Sequence, residues 1–410
     1  MARILVVGGS LGGLLAANML WRDGHDVQVL ERARGSMSGR GAGIVTHDAL
    51  EVALARAGLP SDASLGVAVP GRVLLEPDGS TRTQLDMPQV LTSWSRLYDL
   101  LRQALPAERY HQGVVVARVF SHEDAVEVHG EQDTAARTWT ADLLVASDGI
   151  RSTVRQQLFS EVQPRYAGYL AWRGVCDEAV LSRRTLQTLF PYFGFCVPER
   201  EQIIGYPVAG ADHDMAPGRR AYNFVWYRPA AAGAVLDDLM TDADGQHHPL
   251  GIPPNKVSWQ HIARMREAAC ELLAPQWAEV VQKTAQPFLQ PIYDLACEHL
   301  FVGRVALMGD AAFVARPHIG MGVTKAAQDA AALSDAVRAL GATPEALQAY
   351  EAERRPAGRS AVARARWLGA HMEDAATAAR IDRSLQAIHE TAIDLGRYGH
   401  RSAFQDNPTP

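Results

Sequence analysis

The chain opens on a run of apolar residues, Ile4, Leu5, Val6 and Val7, that stops at Gly8 and Gly9. A short β-branched run closed by glycines predicts a parallel strand covered on both faces. Apolar residues then recur at helical spacing over 11–22. A second strand is predicted over 26–30, opened by Gly24 and His25 and ended by Glu31 and Arg32. Strand, turn, helix and strand within about thirty residues form a βαβ unit, which is right-handed by strong precedent.

Further on the pattern changes. Leu97, Leu100, Leu101 and Leu105 share one face of a helix predicted over 95–105. Alternation over 114–120 and 125–129 predicts a hairpin, and Leu143, Leu144 and Val145 mark another buried strand over 142–146. Between 166 and 227 the chain becomes rich in aromatics and alternating runs, notably 202–207 and 222–227. That pattern predicts an antiparallel sheet, a different layer from the parallel start. A polar loop over 240–254 and two helical stretches follow, then a buried strand over 304–308 and helices over 325–340 and 344–367. No internal repeat is visible, and the tail after Gly396 is expected to be loose.

Composition narrows the class. The 410 residues are 47% hydrophobic and 21% charged, which is ordinary for a globular chain long enough for two or three domains. The net charge of −6 gives no electrostatic footprint for nucleic acid. Cys176, Cys196, Cys270 and Cys297 lie far apart with no CxxC pair, so neither a zinc site nor a disulfide framework is indicated. That fits a reducing cytoplasm. Residues 4–21 carry no charge over the length of a membrane span, but four glycines beside Ser10 and Asn18 favour a buried strand, turn and helix. No membrane association is expected.

Three glycine-bearing turns carry the candidate chemistry. The first, Gly8-Gly9-Ser10-Leu11-Gly12-Gly13, is a variant of G-x-G-x-x-G. Gly8 allows the tight turn and Gly13 allows close packing of helix on strand, so that backbone N–H groups and the helix dipole receive a pyrophosphate. Ser10 replaces the middle glycine and offers a hydroxyl to a phosphate oxygen. Glu31, at the end of the second strand, is placed to accept from an adenosine ribose. The second turn runs from Asp148-Gly149 to Ser152 and Arg155; its bland alternative is a capped helix start. The third is Gly309-Asp310-Ala311-Ala312, followed by Arg316-Pro317-His318-Ile319-Gly320-Met321-Gly322. Its Asp closes a strand beside the expected cofactor, and Gly320, Met321 and Gly322 open a helix whose bare N–H groups suit a negative ring edge.

Together the three motifs resemble those of the FAD-dependent aromatic hydroxylases, the single-component flavoprotein monooxygenases typified by p-hydroxybenzoate hydroxylase. The resemblance covers roughly residues 3–365. Stretches around Tyr169-Leu170-Ala171-Trp172-Arg173-Gly174, Asn223 to Tyr227 and Arg316-Pro317-His318 resemble its 2,6-dihydroxypyridine 3-hydroxylase branch. Two positions depart from the family pattern: Thr324, where relatives often carry Asn, and His47, where many carry another polar residue.

The resemblance implies a doubly wound, Rossmann-type FAD domain of α/β class (α+β overall), with an inserted antiparallel-sheet substrate domain and C-terminal helices. The expected division places the FAD domain in 1–75, 95–162 and 276–370. Substrate-domain strands fall in 76–94, the substrate sheet in 163–275, and a final helix and tail in 371–410. FAD would be held non-covalently by Gly8, Ser10, Leu11, Gly12, Gly13, Glu31, Arg32, Arg96, Val116, Asp148, Asp310, Gly320, Met321 and Gly322. It would be reduced by transiently docked NADH or NADPH, and O2 would add at flavin C4a to give a hydroperoxide that hydroxylates a small aromatic ring. The expected ring is a hydroxylated pyridine or related N-heteroaromatic.

That chemistry is the cofactor's; a base tuned near neutrality must make the ring electron-rich. His47 and His318 are the candidates. Tyr192, Phe193, Phe195, Tyr206, Tyr222, Trp226 and Pro317 are the expected substrate lining, although strand alternation turns about half of such residues away. Arg173 and Arg316 either hold substrate charge or steer the reductant, or else make surface salt bridges. His247-His248 is a solvated pair, and no metal is expected. A homodimer is compatible with the sequence. A halogenase, a lipid reductase or a non-catalytic prenyl-GTPase-chaperone scaffold would share the fold; the second and third motifs argue against the scaffold.

Overall fold

The computed structural model describes residues 1–35, 37, 43–60, 65–252, 254–373 and 383–398. The expected loose tail lies mostly outside these residues.

Its first layer is a six-stranded sheet. In spatial order the strands are Phe301–Val302, Val305–Leu307, Leu143–Ala146, Arg3–Val7, Asp26–Glu31 and Tyr110–Gln112. All neighbours are parallel except the first pair. Val7 registers with Leu30 on one side and Ala146 on the other, and Ala146 registers with Leu307. The three glycine-bearing turns therefore emerge side by side at the carboxyl ends of adjacent strands. The chain leaves Arg3–Val7 toward Asp26–Glu31 but leaves Leu143–Ala146 in the opposite direction, toward Val305–Leu307, so the boundary between Arg3–Val7 and Leu143–Ala146 is a topological switch point, where a ligand crevice forms. Helices Leu11–Arg22 and Gly322–Leu340 pack side by side over this sheet.

A nine-stranded, mostly antiparallel sheet forms the second layer. It runs Phe313–Val314, Phe288–Ala296, Arg165–Asp177, Ala221–Pro229, Gln202–Val208, Phe193–Cys196, Val67–Leu75, Thr81–Ser93 and Gly43–Val45. Its far face packs on helices Trp259–Leu272 and Pro275–Lys283 through Tyr222, Phe224, Trp226 and Trp277. Its near face carries Phe193, Tyr206, Val225 and Tyr227 and meets the C-terminal helix Arg383–Glu390.

Sheet membership differs from the expected divisions in two places. Gly43–Val45 and Val67–Leu75 lie within 1–75 yet pair in the large sheet, as do Phe288–Ala296 and Phe313–Val314, beyond 275. Phe288–Ala296 closes the edge of Arg165–Asp177, whose backbone groups would otherwise stay unpaired. The expected hairpin gains a third strand, Ala135–Ala141, through a turn in which Asp133 and Thr134 both have positive φ.

The C-terminal segment is held by Arg72, a fully buried guanidinium. It donates to the carbonyls of Ile388 (2.8 Å), Thr391 (2.7 Å) and Ala392 (3.0 Å) and to Gln89 Oε1. Arg364 and Glu390 add a buried ion pair at 2.6 Å. Among the described residues no helix is long and apolar enough to cross a membrane.

Candidate active site

The first and second turns enclose a cleft of ≈ 400 Å³ lined by Gly8, Ser10, Glu31, Arg32, Val116 and Asp148. Gly8 has φ +98°, and a Cβ there would lie 2.4 Å from Ser147 O. Glu31 is almost fully buried: Oε2 accepts from Gly9 N–H (2.7 Å) and Oε1 from Ala33 N–H (2.8 Å). Its remaining lone pairs face the cleft, as a ribose partner's must. Leu11, Gly12 and Gly13 sit one layer back, packing the helix on the sheet.

Asp148 accepts from Thr153 N–H at 2.8 Å while its Oδ1 is buried without a partner. Burial pushes its carboxyl above the usual range. The helix cap itself is Ser152, whose Oγ accepts from Arg155 N–H at 2.9 Å. Arg155, fully buried, donates to Ala311 O and so ties the second turn to the third.

The third turn borders a second cavity of ≈ 280 Å³, between the two sheets. Asp310, Pro317, Gly320 and Gly322 line one side; Tyr206, Phe193, Val225, Tyr227 and Arg173 line the other. Asp310 is exposed to this open space, and desolvation by the surrounding protein pushes its carboxyl above the usual range. Met321 caps the helix Gly322–Leu340, whose N-terminal N–H groups face the cavity. Ala392, from the C-terminal segment, completes the wall.

A third cavity of ≈ 610 Å³ adjoins the second, with Gly43 and Trp94 lining both. Arg96 lines this side cavity rather than the ring-sized one. Opposite it, His213 Nε2 lies 3.0 Å from Asp99 Oδ2, bridging the helix Trp94–Ala104 to the loop before Ala221–Pro229.

Four expected lining residues do not line the ring-sized cavity. Tyr222 and Trp226 point to the helical face, so their strand turns Asn223, Val225 and Tyr227 toward the cavity side. Tyr192 packs at the edge of the helical core. The Arg72 guanidinium sits over both Phe193 (5.0 Å) and Phe195 (5.7 Å), and of these two stacked rings only Phe193 reaches the cavity.

The two candidate bases stand behind the wall. His318 is fully buried, with Nε2 2.8 Å from Tyr169 OH and Nδ1 unpartnered; burial lowers its pKa well below the usual histidine value. His47 Nδ1 meets Thr324 Oγ1 at 2.8 Å, so the two departures from the family pattern contact each other. Neither ring borders the cavity, which contradicts the direct proton-transfer role expected of them. Arg316 is no surface group either: it is buried and paired with Asp294 (2.8 Å) and with Glu373. His248 pairs with Asp242 at 2.7 Å.

Burial holds His47 neutral, its pKa pushed down to about 4 from the ordinary 6.5. A folded value below the unfolded one contributes stability above pH 6.5 that is lost as pH falls toward 4, worth about 3 kcal/mol. The urea midpoint should therefore fall between about pH 7.5 and about pH 5. His47→Gln should flatten that slope, and an unchanged slope would contradict the assignment.

These features fit a bound FAD: a glycine turn no side chain could enter, a ribose acceptor, an orphaned buried carboxylate oxygen, and a carboxylate facing a ring-sized space. The sequence profile of the FAD binding domain family matches residues 1–183 and 254–365. The chain belongs to this FAD-binding family. A related FAD binding domain-like profile covers 166–294. The FAD-binding chain is 31% identical over 352 residues to the 2,6-dihydroxypyridine 3-monooxygenase of Paenarthrobacter nicotinovorans, spanning 85% of this chain and 86% of the relative. The solved structure of 2,6-dihydroxypyridine-3-hydroxylase from Arthrobacter nicotinovorans superposes with a TM-score of 0.85 at 27% identity, covering 90% and 92% of the two chains. A more distant fold relative, Klebsiella pneumoniae HpxO complexed with FAD and uric acid, has a TM-score of 0.76 at 23% identity, covering 99% and 97%. The chain is an FAD-dependent monooxygenase of the aromatic hydroxylase kind.

Residues that sequence reasoning missed are Val225, Tyr227, Gln290 and Ala392 in the ring-sized cavity, and Asp329 and Arg72 behind it. Period-2 alternation within Ala221–Pro229 could have split Tyr222 from Tyr227. Nothing in the sequence marked the others.

Proposed function

We propose that the enzyme uses NADH or NADPH and O2 to hydroxylate a small ring, a hydroxylated pyridine or related N-heteroaromatic. The observation that carries this reading is the ring-sized cavity between the third turn and the large sheet. Its walls are flat and apolar, from Phe193, Ile204, Val225 and Ile292, with few polar handles, as a small planar ligand requires. The similarity to an enzyme named for 2,6-dihydroxypyridine supports the ring class.

Bound FAD supplies the electron transfer and oxygen chemistry. The residues of the chain hold and screen it. Gly8, Ser10 and Glu31 would hold the ADP part, Asp148 the middle, and Asp310 the ribityl chain. The N–H groups from Gly320 to Gly322 would face the ring edge, and Arg96 would border it from the side cavity. Tyr206, Tyr227 and Ala392 keep water from the reacting face. His47 and His318 support the wall without touching substrate.

The test is NADH or NADPH oxidation by FAD-loaded protein, stimulated by hydroxypyridines, hydroxynicotinates and phenols, with product mass. The expected result is one oxygen atom gained by a pyridine-type ring. A colourless protein that cannot be reconstituted with FAD, or oxidation with no oxygen in any ring, would overturn the proposal.

A further inference from the structure

Within the first turn some backbone groups are already engaged by the protein. Gly9 is buried and is held at both ends. Its N–H donates to Glu31 Oε2 at 2.7 Å, and its C=O accepts from Tyr110 OH at 3.0 Å. Glu31 therefore takes one N–H that a phosphate would otherwise receive. Ser10 follows, and among the described residues no protein group engages its N–H or its hydroxyl.

Tyr110 opens the edge strand Tyr110–Gln112 and registers with Val29. It is almost fully buried, and burial pushes its phenol above the ordinary tyrosine value, so it stays a donor across the neutral range. A carbonyl can only accept, so the Tyr110 proton is committed to Gly9. Tyr98 OH, 3.4 Å from the Tyr110 oxygen, is then the donor in that second contact. Tyr98 lies on the helix Trp94–Ala104, which also carries Arg96. Arg102, from the same helix, covers the Tyr110 ring at 4.4 Å.

Peptide geometry links this hold to the cofactor side. In a planar trans peptide the C=O of one residue and the N–H of the next point in opposite directions. With Gly9 C=O turned to Tyr110, Ser10 N–H points away from it. Tyr110 stands outside the ≈ 400 Å³ cleft, whereas Ser10 lines it. The turn alone does not enforce this orientation, because glycine tolerates either setting of the peptide. No side chain can stiffen position 9 instead: a Cβ there would lie 2.4 Å from Tyr110 Oη. A glycine at the first x of G-x-G-x-x-G and a tyrosine far along the chain thus form one device.

We propose that Tyr110 is a positioning residue for the FAD pyrophosphate. By holding Gly9 C=O back, it presents Ser10 N–H, beside the Ser10 hydroxyl, to a phosphate oxygen. Without the phenol O–H that carbonyl is buried with no donor, and the peptide turns to hydrate it. The turn swings an acceptor toward the anion where a donor had bound it. This rests on placing the ADP part of FAD at the first turn.

Tyr110→Phe keeps the ring and removes only the O–H. Phosphorus-31 NMR of the FAD-loaded variant should show the pyrophosphate resonances displaced from their wild-type positions, with the flavin absorbance spectrum unchanged. Dissociation constants for FAD and for ADP, measured by competition on the full chain, should weaken about 3- to 10-fold, and that for adenosine should not change. Unmoved phosphorus resonances, or weakening that extends equally to adenosine, would overturn the proposal. Should Tyr110→Phe not fold, Tyr98→Phe decides, because it removes the donor to Tyr110: displaced resonances support the proposal and unmoved ones overturn it. ADP that fails to compete with FAD for the wild type would refute the placement of the ADP part, and the proposal with it. ADP that competes equally well for wild type and Tyr110→Phe would refute the role of Tyr110 alone.

Discussion

Asp329→Ala is expected to lose about 3–5 kcal/mol of stability and most of its FAD. Asp329 lies almost fully buried in the helix Gly322–Leu340. Its Oδ1 accepts from Arg354 Nε at 2.8 Å, its Oδ2 accepts from Gly309 N–H at 3.0 Å, and Lys325 Nζ stands 3.8 Å away. Lys325 and Arg354 are themselves buried. Removing the carboxylate leaves Lys325 without its nearest counter-charge and Arg354 with only the exposed Glu353 at 3.9 Å, and orphans a backbone N–H. That N–H belongs to the residue before Asp310, so the loss reaches the cofactor side as well. Asp329→Asn keeps an acceptor for Gly309 but not the charge, and should fall between. Urea unfolding together with the flavin-to-protein absorbance ratio reads both effects. An Ala variant within about 1 kcal/mol of the parent that keeps full FAD would refute this account.

Gly13→Ala should release FAD almost completely and destabilise the fold by about 1–3 kcal/mol or more. A Cβ at Gly13 would lie 1.9 Å from Gly8 O and 3.3 Å from Val6 Cγ1. The nearer atom is backbone, so no rotamer change relieves it, and the helix Leu11–Arg22 must lift off the strand. The lift opens the turn that cradles the pyrophosphate. Gly12→Ala is the internal control. Its Cβ would meet side chains, Ser147 Oγ at 3.0 Å and Ala326 Cβ at 3.2 Å, which can yield by a few tenths of an ångström. Comparing FAD occupancy of the two variants checks the argument, and equal retention would defeat it.

The candidate site was legible to different depths. The three turns were visible because each is a local device, a strand ending in glycine before a helix. The near match of Leu11–Arg22 and Val305–Leu307 to the predicted spans shows how well such local patterns read. The facing of the aromatic sheet was not legible. Gln202–Val208 is buried at every position and Ala221–Pro229 through Tyr227, so hydrophobicity no longer distinguishes the two faces. The odd spacing of Tyr222 and Tyr227 puts them on opposite faces, but the sequence does not say which face is which: one packs on Trp277 and the other borders the ring cavity.

Charged residues were harder still. Arg173 and Arg316 carry the same side chain, and the sequence offered the same alternatives for both. Asp294 and Glu373 occupy Arg316, while Arg173 has only Gln290. Likewise His47 and Thr324, noted separately as departures from the family pattern, share a hydrogen bond across 277 positions.

By itself, then, the sequence determined the parallel core, the order of the three turns and the FAD-binding family, because these follow from short-range spacing and backbone sterics. Only the tertiary structure decided which aromatics wall the ring cavity, that His47 and His318 stand behind it, and that Arg173 faces it without an acid. Those outcomes depend on strand register and on partners far apart in the chain, which local pattern does not encode.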